Sequence, residues 1–448
     1  MNVVNSQDPM LGNPLPPGWT TAFLRDVGDI RYGLGQPPEQ AADGIPLVRA
    51  TNVKRGRIVR DGLIRIKHEA IPKSRNPYLR QGDIIVVRSG AYTGDAAMVT
   101  KDWVGSVLGY DLVFSPRQGL DPAYCAAVLL SDPVQSYFLG QRDRSAQPHL
   151  NRQQLQDAAI PLPPLQEQQK IAALLGLVQQ AIEQQERLIV LTAELKNALM
   201  NKLFTKGLHA EHRKETEFGP VPENWQVVPL RDCCIVQTGI AKGRRVEPEE
   251  ALTLPYLRVA NVQDGFLELS QIKKITIRAK EKDRYLLRKG DVVLTEGGDF
   301  DKLGRGFIWQ GQIENCVHQN HIFSVRVDTS RLKPEFFAHL SQSPYGKSFF
   351  LSVAHKTTNL ACINTTKLKR FPVLIPTMAE QETIVSALDS VDARLIHHTR
   401  KKTVLEELFR TLLHQLMTAQ IRVHDLDLNN LDLNSSDQRE EVIATTGR

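Results

Sequence analysis

The chain has 448 residues, more than a single hydrophobic core usually serves, so two or more domains are expected. With 41% hydrophobic and 24% charged residues it is neither disordered nor fibrous in composition, and no apolar run nears the ~20 residues of a membrane-spanning helix. The net charge of +6 suits an acidic partner such as nucleic acid, and five cysteines without C-x-x-C spacing read as free thiols of a reducing compartment.

Residues 1–14 form an arm without the basic and apolar pattern of a secretory signal, which places the chain in the cytoplasm. From residue 15 onward the chain writes one plan twice. "LPPGWTTAFLRDV" (15–27) returns as "VPENWQVVPLRDC" (221–233), and "IPLVRATNVKRGRI" (45–58) as "LPYLRVANVQDGFL" (254–267). "YLRQGDIIVVRSG" (78–90) returns as "YLLRKGDVVLTEGG" (285–298). Runs such as "DIIVV" and "DVVLT" beside Gly-Asp turns predict strands. "DPAYCAAVLLSDPVQSYFL" (121–139) and "KPEFFAHLSQSPYGKSFFL" (333–351) predict short helices broken at Asp-Pro and Ser-Pro. The modules, 15–165 and 221–377, are therefore of mixed α and β type, giving an α+β chain.

Each module hands over to one long helix, at "PPLQEQQKIAALL" (163–175) and "IPTMAEQETIVSAL" (375–388). The helices are expected over 166–207 and 378–422, with a linker at 208–220 and an acidic, disordered tail at 423–448. Ile171, Leu175, Val178 and Ile182 in the first, and Ile384, Leu388, Val391 and Leu395 in the second, recur at steps of three and four, the seam of a coiled coil. A ~40-residue helix is about 60 Å long, far longer than one module, so the two helices are the natural partners of each other. Antiparallel pairing, with pseudo-twofold symmetry, lets each module dock at the start of its own helix and the end of the other.

The window 49–88 holds Arg49, Lys54, Arg55, Arg57, Arg60, Arg65, Lys67, Lys73, Arg75, Arg80 and Arg88 against only Asp61, Glu69 and Asp83, and module 2 has a looser equivalent around Arg258. Matching basic enrichment in both repeats points to nucleic acid, with phosphate contacts and a steep salt dependence. The residue types that bond base edges give as DNA-binding candidates Arg49, Asn52, Lys54, Arg57, Arg88, Ser89 and Tyr92 in module 1. In module 2 they are Arg258, Asn261, Lys302, Arg305, Gln319, Asn320, His321 and Lys356. For Gln319, Asn320 and His321 a polar turn capping a strand is an equal reading. No catalytic residues and no metal ligands are assigned: "RNPYLR" lacks the second proline of an amino-methyltransferase motif, and no phosphate-binding glycine loop occurs.

The duplicated Trp-containing starts, "LVRATNV" and "LRVANV", and the paired "EQ" helices together resemble the specificity (S) subunit of type I restriction-modification systems, over roughly residues 15–422. The resemblance implies two target recognition domains, each reading half of a bipartite site, and a coiled coil that spaces them. It implies partners as well: double-stranded DNA, methyltransferase (M) subunits, two of them, and restriction/translocase (R) subunits. S-adenosylmethionine, ATP and magnesium would then sit on those partners, with no cofactor in this chain. Rival readings are an autonomous methyltransferase or nuclease and a coiled-coil scaffold with incidental basicity.

Overall fold

The computed structural model describes residues 15–35, 38–74, 76–142, 149–243, 245–298, 303–356 and 361–426. The arm 1–14, Lys302 and residues 427–448 of the expected tail lie outside them. Among the described residues two compact units emerge, 15–185 with 401–426, and 186–400.

Unit 1 is built on a four-stranded antiparallel sheet. Its order is Gly28–Tyr32, Leu112–Pro116, Ile84–Val86, Ala96–Met98. The run "IIVV" (84–87) is apolar at every position because both faces of this sheet are covered. Ile84 and Val86 join Trp19, Tyr124 and Ile171 in one core, while Ile85 and Val87 join Val48, Val53 and Trp103 in another. Alternate side chains of a strand point to opposite faces, so one strand serves both cores. A smaller sheet orders Ile64–Ile66, Gln40–Val48 and Val107–Leu108. Thr20–Phe23 pairs antiparallel with Ala159–Leu162, tying the module's beginning to its end.

Unit 2 repeats this plan with Cys234–Thr238, Ile322–Val327, Val292–Thr295 and Gly306–Ile308 in the main sheet. Lys273–Arg278, Ala251–Leu257 and Val317–His318 form the smaller sheet, and Gln226–Pro229 pairs with Pro372–Ile375. The helices fall where the sequence places them, at Pro122–Leu129 and Asp132–Arg142, and at Pro334–Gln342 and Pro344–Val353.

The long helices run Leu165–Lys206 and Met378–Met417. In unit 1, Ile171, Leu174 and Leu175 from the start of the first share a core with Leu413, Leu416 and Met417 from the end of the second. In unit 2, Ile384 and Leu388 from the start of the second share a core with Met200, Leu203 and Phe204 from the end of the first. Lys196 and Asp392 form an ion pair of 2.6 Å there. Start meets end in both units, so the pairing is antiparallel.

Two boundaries differ from the sequence expectation. The 208–220 linker is no bare connection, because Arg213–Thr216 and Gly219–Pro222 form a hairpin. Between these strands Phe218 sets its ring edge-on against Tyr345 and Phe349, at 6.1 and 5.3 Å between centroids. The second helix stops at Met417 rather than 422, where Ala419 takes a positive φ of 53° and Gln420 N–H returns to the Gln415 carbonyl. The chain then folds back onto unit 1, burying Val423, so residues 423–426 belong to the fold and not to a tail.

Candidate nucleic-acid interface

The duplicated Glu-Gln pair fixes each module to its helix. Gln168 is buried; its Nε2 donates to the Gly119 and Pro163 carbonyls and its Oε1 accepts from Asp121 N–H at 2.8 Å. Gln381 does the same with the Arg331 and Pro376 carbonyls and Lys333 N–H. Glu167 accepts the indole N–H of Trp19 at 3.0 Å, and Glu380 that of Trp225 at 3.3 Å. The repeated tryptophan and the repeated "EQ" are therefore the two halves of one joint. In unit 1 the joint has a third member, since Arg422 donates twice to Glu167, at 2.7 and 2.8 Å, and stacks over the Trp19 ring. Burial pushes the Glu167 carboxyl up, but the hydrogen bonds of Arg422 and Trp19 and the Arg422 charge outweigh it and hold it below the usual value.

The other shared motif is also a frame. Asn52 and Asn261, expected to contact bases, are buried. Asn52 Nδ2 donates to the Val59 and Asp61 carbonyls and its Oδ1 accepts from Arg49 N–H. Asn261 repeats this with Glu268, Gln271 and Arg258. Their amides are consumed in closing the turn, which removes them from the readers. Arg49 and Arg258 each spend a guanidinium N–H on a carbonyl of the same loop, of Gly62 and Gln271. Gln319 is likewise committed, accepting from Val259 N–H at 3.2 Å.

The basic candidates are spread over several surfaces. Lys54 lies 3.6 Å from Asp61, and Arg57 lies 3.6 Å from Glu183 on the first long helix. Exposed Tyr92 joins Arg55, Arg57, Asp132, Arg410 and His414 around a cleft of about 630 Å³ within unit 1. Arg305 donates to Gln263. Lys356 lies in a two-residue strand pairing with Ala361–Cys362, and its side chain is outside the described residues.

One group concentrates at a single end of the main sheet of unit 1. Tyr32 ends the first strand, Tyr110 precedes the second by two residues, and Arg88 follows the third by two. Ser89 bridges to His149, which brings in the fourth member. The Arg88 guanidinium stacks over Tyr110 at 4.2 Å and Tyr32 at 5.0 Å, and its Nη2 reaches His149 Nε2 at 2.5 Å. Its Nε has no hydrogen-bond partner. Burial and the Arg88 charge lower the His149 pKa, and Nε2 is the acceptor of that bond because a guanidinium only donates. Tyr32 and Tyr110 remain 39% and 47% exposed, lining with Arg88, Arg31 and Asn76 a cleft of about 540 Å³. Beneath it, buried Asp111 accepts the Arg88 backbone N–H, and burial raises its pKa to about 6.

In unit 2 the strand register identifies the equivalent positions. Val86–Leu112–Tyr32 form a row across the first sheet, and Leu294–Phe323–Thr238 the same row across the second. Thr238 thus stands for Tyr32, Glu296 for Arg88 and His321 for Tyr110. Leu150 N–H bonds the Arg88 carbonyl as Ile363 N–H bonds that of Glu296, so Cys362 stands for His149. Glu296 Oε2 meets His321 Nδ1 at 2.6 Å, and Asn320 Nδ2 meets the other ring nitrogen at 3.2 Å. Tyr32, Tyr110, His149 and Glu296 were not singled out from sequence. The aligned "VVRSG" and "VLTEGG" show the Arg88-to-Glu296 exchange, but only the strand register brings the other three beside it.

The model of the type I restriction modification DNA specificity domain matches residues 16–193 and again 222–407, most of the chain. The chain belongs to this family. It is similar to the MjaVIII specificity subunit of Methanocaldococcus jannaschii, 24% identical over 93% of this chain and 96% of the relative. It is also similar to the EcoKI specificity subunit of Escherichia coli K12, 22% identical over 86% of this chain and 84% of the relative. Among solved structures, the S subunit from M. genitalium covers 90% of this chain with a TM-score of 0.53 at 14% identity, with 98% of that subunit matched. A chain from a study of assembly and conformational transition in a type I R-M system matches over the same shares at 0.54 and 18%. These likenesses are in fold. As a member of the family the chain gives DNA sequence specificity to a type I restriction-modification complex, assembles with its other subunits and is not itself the catalyst. Among the described residues no helix is long and apolar enough to cross a membrane.

Proposed function

We propose that each module reads one half of a bipartite duplex site, and that the paired long helices set the separation of the halves and dock two methyltransferase subunits, with restriction subunits joining that assembly. The observation that carries this reading is the contrast within the duplication. The joint at Glu167 and Glu380 and the turn at Asn52 and Asn261 are kept, while the sheet end changes from Arg88 to Glu296. Residues that build a fold are retained and residues that face a ligand diverge, as two readers of different half-sites require. The seam residues Ile171, Leu175, Val178, Ile182, Ile384, Leu388 and Val391 are buried, so they hold helix to helix rather than a partner subunit. Leu395 is half-buried in the same seam. The docking surface is better sought among the exposed apolar residues Leu188, Val190, Leu191 and Leu195 of the first helix.

Exchanging residues 15–165 for those of a relative, and sequencing the methylated bases of a host that carries the matching methyltransferase, is expected to change one half of the modified motif. Change in both halves would overturn modular reading. Methylation or metal-dependent cleavage by the purified chain alone would favour the autonomous enzyme, and weak binding insensitive to salt the scaffold.

A further inference from the structure

Resting on the reading of modules as half-site readers, we infer that Arg88 and Glu296 are the matched specificity-determining residues of the two modules. Arg88 takes the two hydrogen-bond acceptors of a guanine edge, and Glu296 takes the exocyclic amino group of cytosine or adenine.

The backbone positions are the same. Both residues lie two positions beyond a strand residue in the same sheet row, Val86 in one and Leu294 in the other. Both offer their carbonyl to the residue that opens the return segment, Leu150 or Ile363. At the opposite end of the same strands lies an equivalent structural ion pair. Asp83 is held by Arg31 and Ser115, Asp291 by Arg326 and Ser324, the arginine coming from a different strand in each. The pair therefore survives relocation of its cation, whereas the residue at the sheet end has reversed its charge.

The chemistry of each site follows from its neighbours. Arg88 lies against two part-exposed tyrosine rings and gives one Nη2–H to His149, while its Nε is buried, so Nη1 and the second Nη2–H form the fork offered to a base. A guanidinium is a planar fork, and packing against aromatic rings restrains its orientation, giving the donor pattern that fits guanine O6 and N7. His149 Nε2 accepts from Arg88 and so orients that fork. Glu296 has the opposite polarity. One carboxylate oxygen is bound by His321, and a carboxylate only accepts, which selects an amino group on the base edge. Losing Tyr32 and Tyr110 in favour of Thr238 and His321 removes the stack that a carboxylate could not use. Each change at the sheet end agrees in sign with the others.

The test uses the chain assembled with its methyltransferase subunits and a duplex library in which both half-sites are randomised, with the enriched bases read by sequencing. Arg88→Gln is expected to relax a guanine preference at one position of one half by roughly 5-fold to 150-fold, leaving the other half unaltered. Glu296→Arg is expected to bring guanine to one position of the other half. An enriched motif unchanged by both substitutions overturns the inference, and so does a uniform loss of affinity with base preference intact, which marks a phosphate contact. If Arg88→Gln does not fold, Glu296→Arg in the other unit decides alone. Should the wild-type complex enrich no bipartite motif, half-site reading itself fails, and that result is distinct from an unaltered motif in the variants.

Discussion

At the scale of single residues, the joint around Glu167 brings a neutral donor and a bidentate cation onto one carboxylate, with the cation stacked over the donor's ring. Truncation to alanine leaves the Trp19 indole and the Arg422 guanidinium without their acceptor. Glu167→Ala is therefore expected to destabilise unit 1 by about 2–3 kcal/mol, seen as earlier loss of amide protection in residues 15–185. The same group gives an acid dependence. Its folded pKa lies below the ordinary 4.5, so its stabilisation is complete above 4.5 and is lost as pH falls through the lower folded value. Asp111 behaves oppositely. Its folded pKa is raised from 3.8 to about 6, so its contribution is full below 3.8 and disappears as pH rises through about 6. Asp111→Asn is expected to flatten the stability profile between these two values, measured by denaturant melts across pH. Asn52→Ala orphans the Val59 and Asp61 carbonyls and should cost roughly 2–4 kcal/mol while leaving the enriched bases unaltered; altered base preference would return Asn52 to the readers. The frame was thus legible in sequence as a repeat, but its role was not. "NV" preceded by Arg reads equally as a base-contacting loop or a closed turn, and only the partners of the amide decide.

At the scale of elements, the long helices were the most legible part, because an apolar stripe over some forty residues admits few other structures. Their ends were less so. The second helix stops at an alanine in left-handed conformation, Ala419, where a stop signal in sequence is normally a glycine or asparagine. The hairpin at 213–222 was less legible because it carries no alternating apolar run; buried Val221 and the Phe218 ring anchor it to the core of unit 2. Phe218→Ala is expected to cost about 1–3 kcal/mol, less than a fully buried ring because Phe218 is only half-buried. A larger apolar loss is predicted at Leu416, fully buried where the helices share a core. Leu416→Ala should lower stability by about 2–5 kcal/mol, detectable as a shift in the unfolding midpoint of unit 1.

At the scale of the molecule, the two units do not divide the chain end to end. Unit 2 is one continuous segment, 186–400, and unit 1 is assembled from the segments on either side of it. The repeat in sequence and the unit in space are therefore offset, each unit taking one module, the start of that module's helix and the finish of the other. That offset follows from antiparallel pairing, in which each module docks at the start of its own helix and the end of the other. Cutting the chain after Met417 removes Arg422 and Val423 from unit 1 and nothing described from unit 2. Hydrogen exchange of that truncated chain should show weakened protection in residues 15–185 and unchanged protection in 221–377.

The interleaved connectivity also orders events on the ribosome. Residues 186–400 emerge with everything their unit needs, whereas the first module, although made earlier, must wait for residues 401–426 before Leu413, Leu416 and Val423 can complete its core. A nascent chain stalled before that segment would carry a finished second reader and an unfinished first one. The Arg422 contact with Glu167 and Trp19 is in this sense a mark of completed synthesis, made only by chains translated past residue 422.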